Sequence, residues 1–195
     1  MENHMADKDP QEITIPSGSR YSGQMLELFL PSDQIQTKVK EIAALLSERY
    51  QNQCPILIGV LNGSFMFMAD LVRYLTIDFE VDFIKIASYG HETSSSGTVR
   101  LLKDISADIT GRDVVIVEDI VDTGLTVKFL RSRMAEATPT SVTFVTLLLK
   151  AEVANLDFPI DYVGFNIPNR FVVGYGLDVD QKFRGLRSLY AFKEI

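Results

Sequence analysis

The sequence predicts an α/β fold, a central parallel sheet flanked by helices, and three observations carry that prediction. Ile56–Leu61, Val114–Val117 and Ser141–Leu149 are continuous apolar runs, as expected of strands buried on both faces. Helix-like segments alternate with them, which is the βαβ pattern of a parallel sheet. Hydrophobic residues make up 46% of the 195 residues and charged residues 23%, enough to bury one sizeable core.

Along the chain, residues 1–22 are polar, with Pro10, Pro16 and Gly18, and read as a frayed lead-in, disordered over 1–11. Met25–Leu30 is a short apolar strand. Pro31-Ser32-Asp33 then marks a helix start with Ser32 as its cap. Ile35, Val39, Ile42 and Leu46 recur at helical spacing, so a helix is expected over roughly 33–50. The strand Ile56–Leu61 leads through Asn62-Gly63-Ser64 into a helix from Phe65 to Leu75. Val81–Ile86 is a further strand. The segment Ser88–Thr98 after it has no apolar periodicity and is long for a connection, so it is either disordered or a functional lid. Val114–Val117 passes through an acidic turn into a helix from Thr126, with Val127, Leu130 and Met134 facing inward. Ser141–Leu149 closes the series. There is no internal repeat.

Charge and cysteine content narrow the function. Lys plus Arg number 19 against 26 Asp plus Glu, a net charge of −7, which argues against nonspecific binding to nucleic acid or to anionic membranes. A local patch can still hold a small phosphorylated substrate. Cys54 is the single cysteine, so no intramolecular disulfide or multi-cysteine zinc site can form. It reads as a small buried hydrophobe in a reduced, cytoplasmic protein. His4 and His91 offer no metal-ligand spacing, and His91 reads as an exposed loop residue. No apolar stretch approaches the ~18 residues of a membrane helix, and the acidic start Met1–Asp7 is not a signal peptide.

The strongest chemical signal is Val114 to Thr126, which contains Glu118-Asp119-Ile120-Val121-Asp122-Thr123-Gly124-Leu125-Thr126. A buried strand delivers three carboxylates at its carboxyl end, where ligands bind in open α/β sheets. Thr123, Gly124 and Thr126 then open a helix whose N–H groups are free to wrap an anion. Acids upstream and an anion cradle downstream suit a phosphorylated sugar, with hydroxyls or Mg²⁺ at one end and phosphate at the other. The plainer alternative is an acidic turn in which Asp122 caps the helix. A P-loop is excluded because no Lys follows the glycine. A haloacid-dehalogenase strand end is excluded because two residues separate Asp119 from Asp122. Gly174-Tyr175-Gly176 lacks the third glycine of a dinucleotide fingerprint, and Phe183 stands where a calcium loop needs Gly.

Residues 114–126 resemble the phosphoribosyl-pyrophosphate (PRPP) motif of the type I phosphoribosyltransferases. Further matches resemble the hypoxanthine-guanine branch of that family. Val60-Leu61-Asn62-Gly63-Ser64 resembles its pyrophosphate loop. Val81–Lys85 with Ser88-Tyr89 resembles its mobile catalytic loop. Leu147–Lys150, Phe171–Asp178 and Phe183-Arg184 resemble its purine and pyrophosphate segments. The likeness runs from about residue 25 to the end, with the motifs in the family's order.

That resemblance implies the family's roles at these positions. Glu118 and Asp119 would hold the ribose hydroxyls, directly or through Mg²⁺, and Asp178 would help bind the metal. Asp122, Thr123, Gly124, Leu125 and Thr126 would wrap the 5′-phosphate. Asp122 would also exchange a proton with purine N7. Leu61, Asn62, Gly63 and Arg184 would meet pyrophosphate. Phe171 would stack on the base, Lys150 would donate to O6, and the backbone of Val172 would face position 2. Ser88 and Tyr89 would close over the centre. Taken singly, Phe171 is a core aromatic, Lys150 a strand-end cap, Arg184 a surface ion pair and Tyr89 a loop aromatic.

Asn62 departs from the Lys found in many members. The loop is thought to act through its backbone, with a strained Leu61–Asn62 peptide. Leu125 departs from a position that is often polar or basic, where the cradle uses backbone N–H groups.

The resemblance implies one transferase domain over 12–195, with a core of about 31–165 and a hood from about 12–30 and 166–195. It implies Mg²⁺-dependent purine salvage, from hypoxanthine or guanine plus PRPP to IMP or GMP plus pyrophosphate. The expected enzyme is a cytoplasmic homodimer or homotetramer. A non-catalytic PRPP sensor that binds nucleic acid is the alternative of another class, opposed by the −7 charge. A transferase for adenine or a pyrimidine is opposed by Lys150 with Phe171-Val172.

Overall fold

Residues 9–89 and 98–193 are described by the computed structural model. Residues 1–8 of the expected lead-in and residues 90–97 of the expected lid, His91 among them, lie outside the described residues. The elements in chain order are β1 (Glu12–Thr14), β2 (Met25–Leu30), α1 (Ser32–Arg49), β3 (Ile56–Leu61), α2 (Phe65–Tyr74), β4 (Glu80–Tyr89) and β5 (Thr98–Lys103). Then come β6 (Asp113–Val121), α3 (Leu125–Ala135), β7 (Ser141–Leu149), β8 (Tyr162–Asn166), β9 (Val172–Val173) and β10 (Leu189–Phe192).

Six strands form the central sheet in the order β5-β4-β3-β6-β7-β8. All pairs are parallel except β4 with β5, an antiparallel edge. The apolar strands supply both faces by period-two alternation. Leu57, Val115, Val117, Val145 and Leu147 pack against Ile35, Val39, Ile42 and Leu46 of α1 and Phe67 and Leu71 of α2. Ile56, Ile58, Val60, Ile84, Val114 and Ile116 pack on the other side against Val127, Leu130 and Met134 of α3. Each such side chain contributes roughly 1.5–3 kcal/mol when fully buried. Inside the first layer, Tyr50 and Thr143 share a hydroxyl hydrogen bond of 2.7 Å, so the buried phenol is satisfied.

A second, antiparallel sheet, hereafter the hood sheet, has the order β1-β2-β10-β9. Leu30, Leu28, Glu27 and Leu26 of β2 pair with β10, so segments from the two ends of the chain share one sheet. Ile15, Leu26, Val173, Val179 and Tyr190 form its own small core. This sheet carries the 171–178 segment to the carboxyl ends of β3, β6 and β7.

Three local expectations are corrected. Ser32 is not the cap of α1: Pro31 takes that position, and no side chain of the flanking residue bonds the helix start. The Ser32 N–H (3.3 Å) and hydroxyl (2.7 Å) both donate to Asp9, a carboxylate brought from a distant part of the chain. Cys54 is exposed, not buried. It lies in the connection before β3, where its carbonyl accepts from Arg112 at 3.0 Å. The apparently patternless segment after Ile86 begins as strand: Ser88 and Tyr89 pair with Val99 and Thr98. There the backbone ladder, and no apolar alternation, extends the pairing.

Candidate active site

The buried run of β6 ends in two acids. Glu118 is 8% exposed and Asp119 9%. Ile120 N–H donates to Asp119 Oδ1 at 2.9 Å, but Glu118 Oε2 is buried with no hydrogen-bond partner. Burial pushes the Glu118 carboxyl well above the ordinary range, and the neighbouring Asp119 charge adds to it. Asp119 is pushed up to about 6, chiefly by burial and further by Asp178, while backbone N–H groups and the Arg184 charge pull the other way. Two adjacent buried carboxylates without a compensating cation are expensive, and the arrangement suits a ligand that brings positive charge or hydroxyl donors.

After β3 the chain turns across these acids. The Leu61–Asn62 peptide is cis. A Cβ on Gly63 would fall 1.5 Å from Asp119 Oδ2, so only glycine lets this turn lie against the carboxylate. After β6, Gly124 adopts φ 86° at the start of α3, and no side chain caps the helix. Asp122 is therefore not the helix cap of the plainer sequence reading. The first-turn N–H groups at Leu125 and Thr126 have no intrahelical acceptor, which is the geometry of an anion cradle. Leu125 points outward and is exposed, consistent with a role carried by backbone.

At the end of β7, Lys150 is 6% exposed and its ammonium donates to Asp122 Oδ2 at 3.1 Å. The strand-end lysine is thus buried and paired, not a solvated cap. Phe171 is 52% exposed, and its ring meets Phe192 edge-on at 5.7 Å. It is no core aromatic: one face is left open. Val172 is buried and pairs through β9 with Ala191. Asp178 binds Arg184 at 2.6 Å, and Arg184 also donates to the Gly176 carbonyl at 2.7 Å.

These elements enclose a cavity of about 280 Å³. Asp122, Lys150, Phe171 and Val172 line it, together with Asn62, Gly63, Asp119, Asp178 and Arg184. Sequence reasoning missed two further lining residues, Ile120 and Leu177. Both sit beside residues it singled out, and their position next to the acids was the available signal. Glu118, Leu61 and Thr123 to Thr126 do not line the cavity. Ser88 and Tyr89 lie at the end of β4, and their side chains are outside the described residues.

Hard oxygen donors would suit Mg²⁺, and the orphaned Glu118 oxygen beside Asp119 fits such an ion. Among the described residues, no three carboxylates, His or Cys converge into a preformed cluster. Glu118, Asp119 and Asp178 are thus not a closed three-residue cage. Asp178 is engaged by Arg184.

Comparison with known proteins accords with this geometry. Residues 30–180 match the phosphoribosyl transferase domain family. The hypoxanthine-guanine phosphoribosyltransferase of Bacillus subtilis is 42% identical over 167 residues, covering 86% of this chain and 93% of that protein. The hypoxanthine phosphoribosyltransferase of Salmonella typhimurium is 42% identical over 163 residues, covering 83% and 92%. The crystal structure of a hypoxanthine-guanine phosphoribosyltransferase from Bacillus anthracis superimposes with a TM-score of 0.81 at 42% identity, covering 86% of this chain and 98% of that one. With the parallel sheet, the hood and the acidic strand end all in place, this chain belongs to the phosphoribosyltransferase family.

Proposed function

We propose that this chain is a purine-salvage enzyme that transfers the 5-phosphoribosyl group of PRPP to N9 of hypoxanthine or guanine, yielding IMP or GMP and pyrophosphate. One observation carries the reading. A single cavity is lined by a half-exposed aromatic ring, a buried ammonium and a carboxylate together with Asp119, Arg184 and the Asn62-Gly63 turn.

In this reading the base stacks on Phe171, and Lys150 donates to its O6. The backbone near Val172 meets position 2. Base entry gives Lys150 a new acceptor and leaves Asp122 free to serve N7. As the C1′–N9 bond forms and the C1′–O bond to pyrophosphate breaks, the N7 proton passes to Asp122. The sugar goes through an oxocarbenium-like state, as in glycoside chemistry. Glu118 and Asp119 hold the ribose hydroxyls, and the α3 N-terminus from Thr123 to Thr126 holds the 5′-phosphate. Arg184 and the Leu61–Gly63 turn take pyrophosphate. Ser88 and Tyr89 exclude water, which protects the electrophilic carbon.

Glu118, Asp119 and Asp178 are the residues that would hold Mg²⁺. The ion would neutralise charge on the departing pyrophosphate. In the cell the reading is of a cytoplasmic homodimer or homotetramer, and light scattering after size exclusion measures which. The deciding experiment is a spectrophotometric assay of the purified protein with PRPP, Mg²⁺ and a panel of bases. Turnover of hypoxanthine and guanine supports the reading, and turnover of adenine or a pyrimidine alone overturns it.

A further inference from the structure

Tyr175 has no part in the chemistry above, yet its placement is unusual. It is 2% exposed and holds φ 47°, a left-handed conformation that bulky residues rarely adopt. Its hydroxyl donates to Asp70 Oδ2 at 2.7 Å. Gln36 of α1 donates to the same oxygen at 2.5 Å. Asp70 lies on α2, the helix that starts directly after the Asn62-Gly63-Ser64 turn. Burial together with the Asp70 charge raises the phenol far above its ordinary range, so the hydroxyl stays a donor at any working pH.

The neighbouring backbone shows what this bond holds. A Cβ on Gly176 would fall 1.9 Å from the Gly63 carbonyl oxygen, so hood loop and turn touch backbone to backbone. On its other side, Gly176 accepts from the Arg184 guanidinium at 2.7 Å and donates its N–H to the Arg184 carbonyl at 2.9 Å. Arg184 and the Asn62-Gly63 turn are the two walls assigned above to pyrophosphate. One buried side chain therefore ties the loop bearing the first wall to the helix that carries the second.

We propose that Tyr175, through its bond to Asp70, is a positioning residue that fixes the separation of the two pyrophosphate walls. This rests on the functional reading above. A strained backbone maintained by a fully satisfied buried hydroxyl is the expected form of such a device. It acts at the PRPP end of the cavity and leaves the purine end, Phe171 and Lys150, untouched.

Tyr175→Phe removes the hydroxyl and keeps the ring. Asp70→Asn is the conservative partner, because an amide oxygen still accepts from Tyr175. We expect Tyr175→Phe to raise KM for PRPP about tenfold, with KM for hypoxanthine and kcat each within about twofold, and Asp70→Asn to stay close to wild type. In the unliganded protein, the Tyr175 and Gly176 amides should exchange hydrogen faster in Tyr175→Phe. A lower melting temperature with KM for PRPP unchanged, or with both KM values raised in parallel, would make Tyr175 a purely structural residue and overturn the proposal. If the wild-type protein turned over no purine with PRPP, the functional reading would fall by itself. The exchange measurement would then decide the strut, faster exchange supporting it and unchanged exchange ending it.

Discussion

The Lys150 ammonium lies 3.1 Å from the Asp122 carboxylate, on side chains with very different access to water: 8% exposed for the lysine and 52% for the aspartate. The buried charge is satisfied by a partner at the cavity mouth. On the proposed reading, a base that draws Asp122 to its N7 must offer Lys150 an acceptor in exchange.

Base selectivity follows from that exchange. Hypoxanthine and guanine present O6 to the ammonium, whereas adenine presents an amino donor and leaves a buried charge unpaired. Sites that read a polar group in this way reject the wrong partner by ~10⁴-fold. Adenine should be a very poor substrate and xanthine should trail hypoxanthine and guanine. A kcat/KM for adenine within about tenfold of hypoxanthine would remove Lys150 from its assigned role.

Asp122→Asn keeps the shape of the side chain and an acceptor for Lys150 but loses the basic oxygen. General acid–base groups are typically worth 10²–10⁴-fold, so kcat should drop about a hundredfold or more. IMP binding measured by calorimetry should change little. An unaltered kcat would show that the carboxylate serves only to neutralise Lys150.

Glu118 offers a test that separates folding from function. Its buried oxygen has no partner and burial holds its carboxyl well above the ordinary range, so Glu118→Gln removes a group that is costly to ionise in the fold. The variant should melt higher than wild type in the absence of ligands and turn over more slowly with Mg²⁺. Excess chelator should also abolish wild-type turnover. Undiminished activity under chelation would end the metal assignment, and a lower melting temperature would show that the carboxylate is compensated after all.

Acid stability should depend on Asp82. Burial by itself would raise this carboxyl, but the N–H groups of Ala107, Phe83 and Ser106 and the Lys103 charge together hold it below the ordinary range. A folded-state value below the unfolded one stabilises the protein above the unfolded pKa, about 3.9, and the contribution is lost as pH falls through the folded value. Asp82→Asn should therefore melt lower than wild type from neutral pH down to about 4, and the two melting curves should converge in stronger acid. A constant gap at all pH values would mean that the effect is not carried by charge.

The central sheet was legible because its strands are dense in β-branched residues and buried on both faces. Ser141–Leu149 is seen with the bounds its composition suggested. The acidic end of β6 was equally plain, since Glu118, Asp119 and Asp122 break an apolar run in a position where sheets bind ligands. What escaped depends on contacts between distant residues. Asp9 reaching Ser32, the exposure of Cys54 and the pairing of Ser88 with Val99 leave no periodic trace in the chain. Tyr175 read as part of a failed dinucleotide fingerprint, because nothing local ties it to Asp70. Sequence patterns report what a residue's neighbours need, whereas these features report where the fold happens to bring two segments together.

The pairing of β2 with β10 imposes an order of events during synthesis. Strand β2 leaves the ribosome well before its partner Leu189–Phe192, which lies far downstream in the sequence. The parallel sheet can collapse around β3, β6 and β7 before then, since its contacts are between nearer segments. Until β10 arrives, β2 has only β1 beside it and one edge of the strand stays unpaired, while β9 has no partner strand. The nascent chain thus acquires its acidic strand end before the wall of the cavity that carries Phe171 and Val172. Ribosome stalling shortly before residue 189 would leave a folded core with one unpaired edge on β2 and an unfinished cavity wall.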